Sequence, residues 1–278
     1  MEGFLSAKET VEKYIEGCHA KAAMPAGRMF GKAIMAGFMI AMGAAGSSVA
    51  AHSIADVGLA RLTAGVVFPV GLMMVILLGA ELFTGDCLIA MSMMDKKMKL
   101  TKLLSILVIV YLGNFVGAAL LAAMIPMSGQ LNYTAGLLGA YTIKIAVGKV
   151  HLSFLTALVS GILCNILVCA AVLMAMCAKD ITGKLLSAFF VIMLFVTSGF
   201  EHCVANMYYI AAGIFAKSNA AYAQLAMDTY GITAQQLADL NISGFLVTNL
   251  IPVTIGNIIG GILFVGMPMY YFNVRKTK

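Results

Sequence analysis

Two apolar segments of this chain each contain a glutamate beside a glycine, where a membrane-spanning helix would otherwise be continuous. Glu81 lies within residues 77–85, and Glu201 lies within residues 196–202. An ionisable group at membrane depth is costly in free energy and marks a functional site by default. Two interrupted segments at matching positions of two halves predict a substrate path that is central to the fold.

Hydrogen-bond donors accompany both breaks. His202 follows Glu201 directly and is the histidine we expect at membrane depth, whereas His19, His52 and His151 lie in or near loops. A neutral imidazole in an apolar site resists protonation, but it can donate a hydrogen bond or a proton to an arriving anion. The hydroxyl of Thr84 can donate to an anion and bond to His202 without adding charge. We therefore predict that both line a pore; the alternative for His202 is a structural core histidine.

The two glutamates themselves have a different expected role. An ionised carboxylate facing lipid or an anion path would be unfavourable. We expect Glu81 and Glu201 to turn away from the path and to accept hydrogen bonds from backbone N–H groups at the breaks. Their predicted function is structural support.

Two further polar residues are candidates for the path. Lys149 precedes the fourth apolar segment and would raise the local anion concentration at a pore mouth, unless it is an ordinary interfacial lysine. Asn165 lies inside that segment and must find hydrogen-bond partners, either by bridging the broken helices or by lining the path.

Apolar rings would impede hydrated ions by dewetting. The candidates that flank the breaks are Phe68, Leu72, Leu82 and Phe195.

The composition requires a membrane to hold these elements. Of 278 residues, 62% are hydrophobic and 11% are charged, whereas soluble domains carry about 25% charged residues. A span needs about 20 apolar residues. The six candidates are residues 30–54, 62–92, 103–126, 153–177, 185–215 and 245–272. The second and fifth are too long for one straight helix, so we predict two half-helices in each.

Basic residues concentrate on one side of this topology. They occur in the N-terminal region, in the loops after spans two and four, and in the tail at Arg275, Lys276 and Lys278. The positive-inside rule then places both termini in the cytoplasm, in the inner (plasma) membrane. The net charge of +6 is a topogenic signal, so no nucleic-acid partner is expected.

Residues 1–29 lack the apolar core of a signal peptide and predict a cytoplasmic amphipathic helix, with Phe4, Leu5, Val11, Tyr14 and Ile15 near one face.

The chain is interpreted as one transmembrane domain, 1–278, with a first repeat over 30–126 and a second over 153–272. Residues 33–37 resemble 157–161, and residues 113–117 resemble 256–260. Because each half has three spans, the second half must insert upside down, giving an inverted 3 + 3 repeat.

The six cysteines are interpreted as small buried residues, and no metal site or cofactor is expected.

Three segments resemble the formate/nitrite transporter family. Residues 77–85 are similar to its first signature, residues 161–171 to its second, and residues 199–207 to its fifth-span motif. Ala170 departs from the leucine or valine that is usual there. The motifs are Leu77-Leu78-Gly79-Ala80-Glu81-Leu82-Phe83-Thr84-Gly85, Gly161-Ile162-Leu163-Cys164-Asn165-Ile166-Leu167-Val168-Cys169-Ala170-Ala171 and Gly199-Phe200-Glu201-His202-Cys203-Val204-Ala205-Asn206-Met207.

The resemblance implies an all-α, aquaporin-like protomer in a homopentamer with one pore per subunit. It implies that Thr84 lies on the loop interrupting span two, that His202 lies at the pore centre, and that Lys149, Asn165 and Glu201 serve anion attraction and the polar network. The four constriction candidates match more loosely. Family members conduct small monovalent anions. The run Gly85-Asp86-Cys87 looks closest to the hydrosulfide-channel branch.

We therefore expect a channel or transporter for a small monovalent anion, and not an enzyme. Hydrosulfide is the first candidate, followed by formate and nitrite, with proton coupling left open. An aquaporin-like neutral-solute pore is the alternative, although no proline (25, 69, 126, 252 or 268) forms an Asn-Pro-Ala motif at a break. A cation channel using Glu81 and Glu201 is a further alternative.

Overall fold

The computed structural model describes residues 3–275; Lys276 and Lys278, counted above in the basic tail, lie outside them. Within this part, six helices are long and apolar enough to cross a membrane. They are Ala26–Ala51, Val57–Leu78, Leu100–Met127, Phe154–Cys177, Ile181–Ser198 and Gly244–Asn273, called spans one to six below. Spans two and five also include the shorter helical segments that follow them, Phe83–Met94 and Cys203–Lys217. Regular structure in residues 3–275 is helical apart from one antiparallel bridge between Phe4 and Ala178. The all-α, six-span fold is confirmed.

Span two leaves the helical conformation at Gly79. Its first half comprises Val57–Val67 and Val70–Leu78, separated at Pro69, and ends where Gly79 adopts φ +65°. This left-handed conformation is accessible to glycine at little cost and is a common helix terminator. The backbone is extended at Leu82, and helical structure resumes over Phe83–Asp86, Cys87–Ile89 and Ala90–Met94. We call residues 79–82 the first break.

Span five is interrupted in the same manner. The helix Ile181–Ser198 ends at Gly199, which has φ +73°, and a second helix, Cys203–Lys217, begins after His202. Residues 199–202 form the second break. Each break thus consists of a left-handed glycine, two intermediate residues that include a glutamate, and an extended residue before the next helix. That extended residue is Leu82 in the first break and His202 in the second.

One asparagine from a neighbouring span holds each break. Asn114 of span three accepts a hydrogen bond from the Phe83 amide at 2.9 Å and donates to the carbonyls of Ala33 and Glu81 at 2.7 and 2.9 Å. Asn257 of span six accepts from the Cys203 amide at 2.9 Å and donates to Gly161 and Glu201 at 2.7 and 3.0 Å. The two halves of the inverted repeat therefore share the same three hydrogen bonds at their breaks.

The same contacts correct the register of one repeat match. Since Asn114 donates to Ala33 where Asn257 donates to Gly161, Ala33 is equivalent to Gly161 and not to Ala157. Gly37 then corresponds to Asn165, one helical turn from the match predicted by residue type. Small residues recur every four positions on these helices, so a one-turn slip preserves the small-residue pattern. The match of residues 113–117 with 256–260 is correct.

The N-terminal helix, Ala7–Ala23, packs against its own protomer. Ser6 and Glu9 form a capping box at its start, and the buried face includes Val11, Tyr14 and Ile15. The Tyr14 hydroxyl donates to the carbonyl of Gly85 at 3.1 Å. Phe4, in contrast, is 59% exposed. The helix therefore lies directly against the chain that follows the first break, a contact that amphipathicity alone did not indicate.

Several helices connect the spans. Leu137–Val150 precedes span four and carries Lys149, while Ala220–Tyr230 and Ala234–Asp239 connect spans five and six. Span six has wide π-helical turns over Gly244–Leu250 and Gly260–Gly266, on either side of Ile251–Ile259. Such turns often occur at functional sites. All six cysteines are free thiols.

Candidate functional site

A hydrogen bond between Thr84 and His202 joins the two breaks. The Thr84 Oγ1 atom lies 2.8 Å from His202 Nε2, although the residues are 118 positions apart. His202 Nδ1 accepts a hydrogen bond from the Ala205 amide at 3.0 Å. In a neutral imidazole the proton must then be on Nε2, so Nε2–H donates to Thr84. The threonine hydroxyl hydrogen is consequently available to another acceptor.

Asn165 holds Thr84 from behind. Its Nδ2 group donates to the Thr84 carbonyl at 3.2 Å and to the Asn257 carbonyl at 2.6 Å. The side chain is completely buried, and both amide hydrogens are already donated. Of the two predicted roles, bridging and lining, these contacts favour bridging. The Cys169 thiol also contacts the Thr84 carbonyl, at 3.3 Å.

The carboxylate of Glu81 pairs with lysines. Lys21 Nζ lies 2.6 Å from Glu81 Oε2, and Lys32 Nζ lies 3.8 Å from Oε1. Lys21 also forms an ion pair with Asp86. Burial alone would lower the pKa of Lys21, but the negative charges of Asp86 and Glu81 outweigh it and raise the pKa above its ordinary value. The expectation of backbone N–H donors is wrong here, because a nearby ammonium compensates a buried carboxylate more effectively.

Glu201 also binds side chains instead of backbone amides. Its carboxylate accepts from Lys149 Nζ at 2.8 Å and from Asn206 Nδ2 at 2.6 Å. Asn206 in turn donates to Asn249, whose own amide donates to the Lys149 carbonyl. Lys149 Nζ also lies 5.3 Å from the centre of the Tyr209 ring. Lys149 is therefore a paired, largely buried cation, and the prediction of backbone donors is wrong for this glutamate too.

A cavity of about 390 Å³ leads to the second break from the side opposite the N-terminal helix. We call it the vestibule. Its lining includes Phe68, Phe195 and His202, and also Glu201, so the expectation that this glutamate turns away from the path is wrong. The Phe68 and Phe195 rings meet edge to face at 5.8 Å, and Phe195 lies 5.9 Å from the His202 ring.

The remaining constriction candidates lie elsewhere. Leu72 and Leu82 are buried, and neither lines the vestibule. Leu82 occupies the first break at the place where His202 occupies the second. The vestibule wall instead contains two cations that sequence reasoning did not single out, Arg61 and Lys144.

Asn206 was not selected as a site residue from the sequence, although its spacing from Glu201 could have indicated it. It follows Glu201 by five positions, as Asp86 follows Glu81. Lys21, also missed, gives no such signal, because its partners lie 60 and 65 positions away in the chain.

Six spans with two opposed breaks that meet at a buried histidine–threonine pair define a membrane channel or transporter. The chain belongs to the formate/nitrite transporter family, whose model matches residues 8–271. The resemblance noted in the sequence is thereby confirmed, and the protein is a multi-pass membrane transporter or channel and not an enzyme.

Named relatives agree with this assignment. The chain is 41% identical to the "Formate channel FocA" of Haemophilus influenzae over 216 residues, which cover 77% of this chain and 75% of that one. It is 34% identical to a "Probable formate transporter" of Methanothermobacter thermautotrophicus over 291 residues, with 98% of both chains covered.

Two solved structures share the fold. A "Pentameric formate channel with formate bound" matches with a TM-score of 0.79 and 34% identity, over 90% of this chain and 98% of that one. An "FNT family ion channel" matches with a TM-score of 0.80 and 25% identity, over 95% of this chain and 98% of the other.

Proposed function

We propose that the protein conducts a small monovalent weak-acid anion through each protomer, with formate as the first substrate. The observation that carries this proposal is the Thr84–His202 pair, which is buried between the two breaks and has a free hydroxyl hydrogen. A neutral donor pair at membrane depth suits an anion, because it supplies hydrogen bonds without trapping the ion as a fixed cation would.

The anion enters the vestibule and loses water at the apolar Phe68–Phe195 contact. Losing hydration at an apolar constriction is the main barrier for an ion. Thr84, which accepts from His202 Nε2–H, offsets part of that cost by donating its hydroxyl hydrogen to the anion. The negative charge of the anion favours uptake of a proton by His202 from the water of the vestibule, and the imidazolium can pass that proton to the anion and return to its neutral form. A neutral acid then passes Leu82 and Leu72 more easily, because its transfer into apolar surroundings carries no charge penalty.

Formate replaces hydrosulfide as the leading substrate. The sequence placed hydrosulfide first, but the curated relatives reported above are named for formate, and one matched structure holds formate. Nitrite and hydrosulfide remain comparison substrates because they share formate's charge and small size.

The assembly and orientation follow from the same relatives and from the charge distribution. The exposed apolar side chains of the spans need lipid or neighbouring subunits, and the matched formate channel is pentameric. We propose a homopentamer in the inner (plasma) membrane with both termini in the cytoplasm, since the basic loops adjoin that side. The vestibule then opens away from the cytoplasm.

Flux measurements in liposomes test the function. Wild-type protein should carry formate faster than nitrite or hydrosulfide in a competition assay at several pH values. The variant His202→Asn should lose most formate flux and its pH dependence. His19→Asn changes an exposed histidine of the N-terminal helix and should conduct like wild type. Unchanged flux and pH dependence in His202→Asn would refute the central-donor role.

A further inference from the structure

The two breaks carry the same glutamate but a different number of charged side chains. At the first break, the carboxylates of Glu81 and Asp86 face the ammonium groups of Lys21 and Lys32. At the second, the position equivalent to Asp86 is the neutral Asn206. The first break is therefore balanced by two cations and two carboxylates, and the second by one of each, Lys149 and Glu201.

The vestibule above the second break nevertheless carries a net positive charge on its lining. Its lining contains three cationic side chains, Arg61, Lys144 and Lys149, and one carboxylate, that of Glu201. Lys149 is bound to Glu201 at 2.8 Å. Among the residues that the structure describes, no ion pair engages Arg61 or Lys144. Asp56, at the start of the helix that carries Arg61, caps that helix by accepting from the Leu59 amide at 2.7 Å.

The backbone makes room for Arg61. A Cβ atom added at Gly199 would overlap Arg61 Nη1 and lie 3.2 Å from its Cζ, so the guanidinium rests on the glycine of the second break. This glycine ends the helix Ile181–Ser198. The last carbonyls of a helix carry partial negative charge, which favours a cation there. The guanidinium of Arg61 therefore lies against the second break, in the wall of the same cavity that His202 lines.

Aromatic rings position Lys144. Its ammonium lies 4.6 Å from the centre of the Tyr230 ring and 5.5 Å from that of Tyr141. Tyr141 also lines the vestibule. Cation–π contacts hold an ammonium without neutralising it, unlike a carboxylate. Lys144 therefore retains its charge toward the cavity.

We infer that Arg61 and Lys144 form an anion-capture subsite in the vestibule that recruits the permeant carboxylate before it reaches His202. This inference rests on the proposed anion conduction. Lys149, whose charge Glu201 offsets, is a positioning residue that orders the second break. Uncompensated cations in a cleft with apolar walls raise the local anion concentration and entry rate by 10- to 1,000-fold in typical cases.

Single-channel recording of the full chain in planar bilayers tests the subsite, with sodium formate as the conducted salt. In about 10 mM salt, Arg61→Gln/Lys144→Gln should reduce formate conductance about tenfold, and the difference should largely vanish near 1 M, where screening removes long-range attraction. Arg61→Lys/Lys144→Arg should restore most of the conductance. Lys8→Gln/Lys13→Gln removes two exposed cations of the N-terminal helix and should have no effect.

A backbone variant provides a second measurement. Gly199→Ala and Gly231→Ala place alanine at the similar φ angles of +73° and +66°, so both variants acquire the same kind of strain. Only the alanine at 199 meets Arg61, because an added Cβ at 231 meets nothing within 4 Å. Gly199→Ala should therefore lower conductance at low salt, and Gly231→Ala should not.

The outcomes separate the two proposals. Wild-type conductance with no loss in Arg61→Gln/Lys144→Gln at low salt would overturn the capture subsite. A loss that persisted unchanged at 1 M salt would also overturn it, because it would show a structural defect. A wild-type protein that conducts no formate would contradict the proposed function itself.

Discussion

Asn114 and Asn257 make the same three hydrogen bonds, each to the helix after a break, to the glutamate of that break, and to the span that the asparagine packs against. Both side chains are completely buried. The irregular backbone of a break has unpaired N–H and C=O groups, which lipid cannot satisfy. One amide side chain supplies both a donor and an acceptor, so these two residues make the breaks tolerable at membrane depth.

Removing either amide should destabilise the fold. Asn114→Ala or Asn257→Ala leaves the buried N–H after the break without its acceptor and removes two donated hydrogen bonds, which costs roughly 2–4 kcal/mol. Thermal unfolding in detergent should show a fall of several degrees in apparent Tm for each variant. Asn273→Ala removes an amide near the end of span six and should change Tm far less. Equal effects at all three positions would contradict the assigned support role.

Replacing the Thr84 hydroxyl should slow conduction without unfolding the protein. Thr84→Val has a similar shape, but it removes the acceptor of His202 Nε2–H and the donor offered to the anion. Loss of one such hydrogen bond costs about 1.4 kcal/mol, or roughly tenfold in formate flux. Thr84→Ser should keep most flux. Thr142→Val removes another buried hydroxyl, which donates to Leu138, and should conduct normally; a similar loss there would show that the effect is not specific.

Loss of the Lys21 ammonium should release the N-terminal helix. Lys21→Met leaves the buried carboxylates of Glu81 and Asp86 with Lys32 as the remaining cation. The free energy of unfolding should fall by about 3 kcal/mol, the lower end of the range for a broken buried ion pair. Hydrogen exchange of the backbone amides in residues 7–23 should become faster. Lys13→Met, at an exposed position of the same helix, is the matched control.

The pH dependence of the contribution of Lys21 to stability follows from the direction of its pKa shift. The pKa of Lys21 is raised in the folded protein, so its stabilisation is complete below the ordinary value of 10.5 and is lost as pH rises through the folded value. The difference between wild type and Lys21→Met should therefore persist at pH 9. Its disappearance by pH 9 would contradict the ion pairing of Lys21.

Acid should loosen the start of the N-terminal helix. Hydrogen bonds from the Ser6 hydroxyl and amide, at 2.7 and 2.8 Å, lower the pKa of Glu9. Stabilisation from a lowered pKa is present above the ordinary value, 4.5, and is lost as pH falls through the folded value. Amide protection factors of residues 7–10 should fall in that window. Glu9→Gln, which has no carboxylate to protonate, should lack the step, whereas Glu12→Gln should keep it.

The number and type of the elements were accessible from the sequence. Spans of this length follow from hydropathy, because the bilayer core sets a minimum apolar length. The pair Gly79 and Glu81, repeated as Gly199 and Glu201, identified where helices end, because glycine adopts the left-handed conformation cheaply. Family motifs supplied Thr84 and His202, which the structure brings within hydrogen-bonding distance.

Contacts across long stretches of chain were not accessible. Lys21 meets Glu81 only because the N-terminal helix folds back against the first break, and amphipathicity shows that a helix has an apolar face but not which surface covers it. The one-turn error between Ala157 and Gly161 arose for a related reason. Small residues repeat with the helical period, so only the hydrogen bonds of Asn257 define the register.

By itself, the sequence determined a six-span, inverted-repeat membrane protein of a known family, with two breaks and a histidine and a threonine beside them. The tertiary structure alone decided how the charges are used. Lys149 was expected to attract anions but is paired with Glu201, while Arg61 and Lys144 line the vestibule without an ion pair among the described residues. The physical reason is that an ion pair depends on separation in space, and the residues that meet at each break come from distant parts of the chain.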